Sequence, residues 1–221
     1  MAQVKIDLVS GEAVSGILSM PERPFACFVL AHGAGAGMTH PFMAAVAEGL
    51  RERGMATLRY QFPFMEKGSK RPDRPAVAHR TVRAAVAAAV RLAPGSPLIA
   101  GGKSFGGRMT SQAQAEEALQ GVAGLVFLGF PLHPAGKPSD DRADHLARVR
   151  VPMLFLQGTR DALADPRLLA GVVERFSDQA TLRSIAGADH SFHVPARSGR
   201  TDGEVLAEVL DTLVEWARGV V

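Results

Sequence analysis

Short apolar runs alternate with longer amphipathic stretches along most of the chain. The runs recur from about residue 25 to about residue 185, and most of them are apolar at nearly every position. Continuous apolar runs of this length are typical of strands buried on both faces of a parallel sheet. The stretches between them repeat apolar residues at intervals of three and four, as one face of a helix does. The pattern therefore predicts an α/β fold with helices on both faces of a mostly parallel sheet.

Turn-forming residues set the expected bounds of these elements. The predicted strands are Val4–Ser10, Val14–Leu18, Phe25–Ala31, Met55–Tyr60, Pro97–Ala100, Val122–Leu128, Val151–Gln157 and Thr181–Ile185. The predicted helices run from Pro41 to just before Gly54, over Val77–Leu92, from Phe105 to about Leu119, from Pro166 to Phe176 and along the stripe Leu206–Ala217. Residues 62–74 are expected to form a loop, because they are rich in proline, glycine and basic side chains. No repeat or linker interrupts the pattern, so residues 1–221 are expected to form a single domain.

One predicted strand runs directly into a Gly-x-Ser-x-Gly pattern. Residues 98–107 read LIAGGKSFGG, which would present Ser104 on a strained turn between a strand and a helix. Gly102 and Gly106 flank the serine at positions where a Cβ would clash with the tight backbone. A phosphate-binding loop is the other interpretation, but Pro97 stands where that motif requires its first glycine. Ser104 is therefore the candidate nucleophile.

A serine hydroxyl needs a neighbouring base, because it is a poor nucleophile near neutral pH. His190 is the candidate, since it follows the last predicted strand on a loop that can fold back over the carboxyl edge of the sheet. His193 lies on the same loop and is the competing candidate.

The imidazole in turn needs a carboxylate to fix its tautomer and to stabilise its cationic form. Asp161 is the candidate, because it stands on the turn after the strand that ends at Gln157. Asp165 is better explained as the N-cap of the helix that begins at Pro166. Asp189 adjoins the histidine, from where its side chain would usually point away.

A glycine-rich segment follows the first buried strand and is the candidate oxyanion hole. Residues 32–37 read HGAGAG, at the position of the loop that supplies one backbone N–H to a developing oxyanion. Ala34 is the predicted donor there, and Phe105, the residue after the nucleophile, is the second. The other interpretation of the segment is an ordinary turn between a strand and a helix.

Composition argues against several other classes of function. The net charge is +3, but the basic residues are scattered, and the densest run, Lys67–Arg74, also contains an acid and turn formers. No set of aromatic side chains for stacking bases accompanies that run, so we expect a solvated loop and no nucleic-acid partner. The histidines lack the spacing of a metal site and no cofactor motif is present, so neither a metal nor an organic cofactor is expected. Lys103 and Arg108, beside the candidate nucleophile, are expected to be ion-paired or solvated, and attraction of an anionic substrate group is the alternative.

No feature of the sequence predicts secretion or membrane insertion. Cys27 is the only cysteine and lies in an apolar run, which predicts a small buried side chain. The N-terminus alternates like a strand instead of forming a signal segment. No apolar stretch reaches the roughly 20 residues of a membrane span. We therefore expect a soluble cytoplasmic protein without a membrane partner.

With these parts in place, the chain resembles the α/β-hydrolase superfamily, specifically its small cap-less members near dienelactone hydrolase. The order Ser104, Asp161, His190 along the chain is the order found in that superfamily. Segments 62–66, 71–75, 101–109 and 129–133 also resemble a narrower group of bacterial hydrolases. The resemblance implies an eight-stranded sheet and a serine-hydrolase triad. Dienelactone hydrolase has a cysteine nucleophile where this chain has serine, so its substrate is not carried over.

The resulting prediction is a carboxylesterase-like serine hydrolase that cleaves small esters, thioesters or lactones. Only about 22 residues separate the strand ending at Leu128 from the strand beginning at Val151, which is too few for a large lid. Phe130 and Leu132 follow a strand at its carboxyl edge and are candidate pocket residues, with core packing as an almost equal alternative. We expect a monomer or weak homodimer that acts on a small acyl substrate. The alternatives are a hydrolase-fold interaction module and acyl transfer to an acceptor other than water.

Overall fold

The computed structural model describes residues 1–221, and its strands form one eight-stranded sheet. The strands are β1 (Ala2–Asp7), β2 (Ala13–Ser19), β3 (Ala26–Ala31), β4 (Met55–Tyr60), β5 (Leu98–Lys103), β6 (Val122–Leu128), β7 (Met153–Gly158) and β8 (Ala180–Ile185). The α-helices are α1 (Pro41–Glu52), α2 (Pro63–Glu66), α3 (Pro75–Leu92), α4 (Phe105–Glu116), α5 (Pro166–Glu174) and α6 (Asp202–Val220). Short 3₁₀ helices cover Asp141–Arg148 and Ala196–Ser198. None of the helices has the length and hydropathy needed to cross a membrane.

The sheet is mostly parallel, as predicted. Its strand order is β1-β2-β4-β3-β5-β6-β7-β8. Strand β2 pairs antiparallel with β1 and β4, whereas every pair from β4 to β8 is parallel. The loops after β3, β5, β7 and β8 therefore all leave the same edge of the sheet. This is the edge at which open α/β sheets bind ligands.

Helices cover both faces of the sheet, and each face has its own hydrophobic core. One core of 38 buried residues joins the sheet to α3, α4 and α5. The other, of 21 buried residues, joins it to α1 and α6. Every residue of β3 is buried, which explains why its sequence is a continuous apolar run and not an alternating one.

The predicted and observed elements differ mainly in the loop after β4. Residues 62–74 were expected to lack regular structure, but they contain α2, in which Pro63 supplies the fixed φ of a first helical position. Helix α4 ends at Glu116 instead of near Leu119, and α5 ends at Glu174 instead of Phe176. The other strand and helix ends differ from the predicted ones by a few residues, as fraying ends commonly do.

No lid domain lies between β6 and β7, which confirms the expectation from the short spacing. The connection contains the 3₁₀ helix Asp141–Arg148, whose Ala143, His145 and Leu146 side chains are buried. This segment packs against α4 on one face of the sheet. The carboxyl edge is left without a covering domain.

Two glycines in the central strand β5 allow the neighbouring strands to approach closely. Gly101 and Gly102 both have a φ of +145°. A Cβ on Gly102 would overlap the main-chain oxygen of Ala31 in β3, and a Cβ on Gly101 would overlap that of Val126 in β6. Only glycine fits these positions, because the overlapping atoms belong to backbone that is fixed in the sheet.

We predict that Gly102→Ala lowers the free energy of unfolding by about 3 kcal/mol or more, because it combines a strained φ with a backbone clash. Gly171→Ala is the matched control, since Gly171 is exposed in α5 and an added Cβ would meet nothing within 4 Å. The control should raise the free energy of unfolding by about 0.5–1 kcal/mol, because alanine has a higher helix propensity than glycine. Urea unfolding of both variants measures these changes. A Gly102→Ala midpoint equal to that of the wild type would contradict the prediction.

Candidate active site

Ser104 lies on a left-handed turn between β5 and α4. Its backbone has φ 50° and ψ −115°, and it is one of two non-glycine residues with a positive φ. The turn brings α4 close to the sheet, since a Cβ on Gly106 would lie 2.6 Å from the Ala31 Cβ and would overlap the His32 carbonyl oxygen. The expected steric role of Gly102 and Gly106 is therefore confirmed. This strained conformation places Ser104 at the carboxyl edge of the sheet, where it lines a cavity.

The structure brings Ser104, His190 and Asp161 into one line of hydrogen bonds. Ser104 Oγ lies 2.9 Å from His190 Nε2, and His190 Nδ1 lies 2.7 Å from Asp161 Oδ2. A carboxylate only accepts hydrogen bonds, so the imidazole donates from Nδ1 and presents the Nε2 lone pair to the serine hydroxyl. The side chain of Asp161 is 0% exposed and that of His190 is 25% exposed. The relay thus runs from a buried carboxylate to an accessible hydroxyl.

Backbone and amide donors hold the Asp161 carboxylate in place. Gln157 Nε2 donates to Oδ2 at 2.5 Å, and the Leu163 N–H donates to Oδ1 at 2.8 Å. Gln157 also accepts from the Phe130 N–H at 2.8 Å, so its amide orientation is fixed from both sides. Sequence reasoning missed Gln157. The available signal was an amide at the end of an otherwise apolar buried strand.

The competing histidine and carboxylates lie outside the relay. His193 pairs with Asp202 at 2.9 Å on the surface, and this carboxylate raises the pKa of the His193 imidazole. Asp165 accepts from the Arg167 and Leu168 N–H groups as the N-cap of α5, as expected. Asp189 accepts from backbone N–H groups within its own loop.

His32 anchors the glycine-rich loop. Its Nε2 accepts from the Phe62 N–H at 3.0 Å, so Nδ1 carries the proton and donates to the Gly33 carbonyl oxygen at 2.7 Å. Burial lowers the pKa of the imidazole, which favours this neutral form. The Ala34 and Phe105 N–H groups donate no hydrogen bond within the protein. Neither N–H group is therefore satisfied by a backbone acceptor of the protein.

A cavity of about 520 Å³ opens beside Ser104 and His190. Its lining includes the apolar side chains of Phe42, Met43 and Leu163 and the loop Gly33–Ala36. Phe130 and Leu132 do not line this cavity, so the prediction that they are pocket residues is wrong. Both are fully buried in the core, where Phe130 contacts the Phe127 and Phe155 rings. Core packing, the alternative considered for these two residues, is what the structure shows.

A second serine–histidine pair is structural in character. Ser111 Oγ lies 2.7 Å from His145 Nε2 between α4 and the 3₁₀ helix, away from the cavity. Burial, with a smaller effect from neighbouring cations, lowers the pKa of His145 to about 4, so the ring is neutral. No carboxylate pairs with this histidine. Nowhere does the protein group three or more histidine, cysteine or carboxylate side chains so that they could hold a metal ion.

Comparison with known proteins identifies the family. Residues 24–218 match the family model of an α/β hydrolase domain. Dienelactone hydrolase from Anabaena variabilis is similar at a TM-score of 0.77 and 21% identity, with 100% of this chain and 97% of that chain covered. An α/β serine hydrolase without a lid from Xanthomonas campestris is similar at a TM-score of 0.75 and 22% identity, with 97% of this chain and 94% of that chain covered. An α/β serine hydrolase homologue from Coxiella burnetii is similar at a TM-score of 0.75 and 19% identity, with 97% of this chain and 96% of that chain covered.

At these identities the solved structures show a shared fold, and the family model carries the assignment. It spans β3 to α6 and includes the turn at Ser104, the Asp161 turn and the His190 loop. The strand order and the open carboxyl edge agree with it. The chain belongs to the α/β-hydrolase family.

Proposed function

We propose that the protein is a serine hydrolase that cleaves small esters, thioesters or lactones through an acyl-enzyme intermediate. The observation that carries this proposal is the hydrogen-bonded line from Ser104 through His190 to the buried Asp161. Nucleophile, base and orienting acid stand within hydrogen-bond reach of one another, as acyl transfer requires. The neighbours named as serine hydrolases support the same class of reaction.

In the first half of the reaction, Ser104 Oγ attacks the substrate carbonyl carbon while His190 Nε2 accepts the hydroxyl proton. The new C–O bond turns the carbonyl oxygen into an oxyanion. The Ala34 and Phe105 N–H groups, which have no acceptor in the protein, donate to it. Asp161 stabilises the imidazolium that forms, without taking its proton.

Collapse of the tetrahedral intermediate breaks the bond to the leaving group. His190 gives its proton to the departing oxygen or sulfur and returns to its neutral form. A water molecule then enters from the open cavity, and His190 accepts its proton as it attacks the acyl carbon. A second collapse breaks the bond between the acyl carbon and Ser104 Oγ, His190 returns its proton to that oxygen, and the acid is released.

The cavity favours small soluble substrates. It has about 520 Å³, a partly apolar lining and no lid domain to supply an extended acyl tunnel. Phe42, Met43 and Leu163 are its three large apolar lining residues, and an acyl group of a few carbons would pack on them. We propose that a small-molecule acyl compound, rather than a macromolecule or a lipid aggregate, is the substrate, and that the enzyme works as a monomer or weak homodimer.

We predict that Ser104→Ala lowers kcat/KM for p-nitrophenyl acetate and butyrate by on the order of 10⁴-fold or more, because it removes the nucleophile. The same variant should lose covalent labelling by a fluorophosphonate, which requires an activated serine. Ser111→Ala is the matched control, since Ser111 also faces a histidine but lies away from the cavity. Equal activity and labelling in the wild type and Ser104→Ala would refute the proposal.

We also expect kcat/KM to fall from p-nitrophenyl butyrate to octanoate, because only three large apolar side chains line the cavity and no lid domain covers it. Activity should not increase when a substrate exceeds its solubility limit, since no lid is present to open at an interface. A series of p-nitrophenyl esters, measured below and above that limit, tests both statements. A preference for emulsified long-chain triglycerides would contradict the assigned substrate class.

Gln157→Leu tests the support of the acid. The substitution removes the donor to Asp161 and leaves the Phe130 N–H without its acceptor, so we expect kcat to fall by about tenfold or more. The free energy of unfolding should fall by about 1–3 kcal/mol because a buried donor loses its partner. Gln120→Leu, at an exposed position before β6, is the control and should change neither quantity. An unchanged kcat in Gln157→Leu would show that the backbone N–H of Leu163 alone suffices to orient Asp161.

A further inference from the structure

Lys103, the last residue of β5, lines the candidate active-site cavity together with Ser104 and His190. Its stem passes the glycine-rich loop, since a Cβ on Gly33 would lie 3.6 Å from Lys103 Cγ. Its ammonium donates a hydrogen bond to the main-chain oxygen of His190 and lies 5.4 Å from the centroid of the Phe192 ring. The side chain therefore joins the strand that carries Ser104 to the loop that carries the histidine.

Lys103 forms no salt bridge, so of the two roles expected from sequence the ion-paired one is not what the structure shows. Its hydrogen bond goes to a backbone carbonyl, and no carboxylate forms a salt bridge with it. Gly129 leaves room for this arrangement, because a Cβ there would lie 3.0 Å from Lys103 Nζ and 3.4 Å from His190 Nδ1. The ammonium and the imidazole thus both lie next to the position that a side chain at residue 129 would occupy.

Other contacts fix the residues on either side of His190 in its loop: the Arg160 N–H donates to the Ala188 carbonyl oxygen, and the Val194 N–H donates to Asp202. Phe192 adopts a φ of 62°, a conformation that non-glycine residues seldom take without external support. The hydrogen bonds from the Ser191 and His193 N–H groups to Asp189 stay within the loop. The contact from Lys103 is the one that ties the histidine's own backbone to β5.

We propose that Lys103 is a positioning residue whose ammonium holds the His190 backbone, and with it the imidazole, at hydrogen-bond distance from Ser104. The inference rests on the proposed hydrolase function. It assigns Lys103 no contact with the substrate and no proton transfer. A charge-assisted hydrogen bond suits this role, because it is about twice as strong as a neutral one.

Loss of the Lys103 charge should make activity decline at alkaline pH. Burial lowers the pKa of the Lys103 ammonium to about 8, and the carboxylates of Asp161 and Asp189 act in the opposite direction. The His190 ring is the other titratable group that faces it, beside Gly129. A pKa lowered to about 8 means that the ammonium is present below that pH and is lost as the pH rises through it. Its charge-assisted hydrogen bond and its attraction to the Phe192 ring are lost with it.

The test compares pH profiles of kcat/KM between pH 6 and 10 for the wild type, Lys103→Met and Lys103→Arg, with a soluble short-chain ester and subtraction of the uncatalysed rate. We expect the wild-type value to decline above about pH 8. Lys103→Met should be about 10- to 100-fold less active at pH 7 and show no such decline, because a histidine displaced by about an ångström costs this much. Lys103→Arg keeps its charge throughout this range. Its kcat/KM should therefore stay level between pH 8 and 10. Lys103→Arg also serves as the second variant if Lys103→Met does not fold.

Lys137→Met, at an exposed position in the connection between β6 and β7, is the matched control and should reproduce the wild-type profile. A wild-type profile that stays level to pH 10, or a decline near pH 8 that persists in a folded Lys103 variant, would overturn the inference. Ser104→Ala is measured in parallel. If it is as active as the wild type, the proposed function fails. If activity depends on Ser104 but not on the charge at residue 103, only the role of Lys103 fails.

Discussion

The left-handed turn at Ser104 is the constraint on which the rest of the site depends. A serine with φ 50° is strained by about 1–3 kcal/mol, and it persists only because the surrounding backbone leaves it no alternative. That backbone is close at both flanking glycines: a Cβ on Gly102 would overlap Ala31 of β3, and a Cβ on Gly106 would overlap Ala31 and the His32 carbonyl oxygen. The hydroxyl is therefore held by the packing of α4 and β5 against β3, and not by hydrogen bonds of its own side chain alone.

The sheet topology sets the distance that the other two residues must bridge. Strand β8 lies three positions from β5, which is about 14 Å at the usual spacing between strands. The loop after β8 has to return across β7 and β6 to bring His190 to Ser104. A Cβ on Gly158 would overlap the Ala188 carbonyl oxygen, so this loop lies directly against the end of β7. The hydrogen bond from Lys103 would then secure the far end of the returning loop.

The order of elements and the three residues of the relay could be predicted from sequence, because each residue follows a buried strand at the same edge of a parallel sheet. Phe130 and Leu132 met the same criterion and were wrong as pocket residues. Where a side chain points after a strand end depends on the local turn, and these two turn inward to the Phe127 and Phe155 side of the sheet. Gln157 and Lys103 could not be assigned either, since Phe130 and His190, which they contact, lie on loops after other strands and come close only through the register of the sheet.

The residues around Asp161 are uncharged donors, and this has a consequence for the proposed chemistry. A buried carboxylate needs hydrogen bonds to offset its desolvation, and an arginine would supply them most strongly. An adjacent guanidinium would also compensate the negative charge that has to stabilise the imidazolium of His190. Gln157 and the Leu163 N–H satisfy both oxygens of Asp161 without adding a charge. Lys103, whose charge interacts with that of Asp161, donates to a carbonyl instead of the carboxylate, so in the proposed reaction the His190 ring is the cationic partner of Asp161 once it has accepted the serine proton.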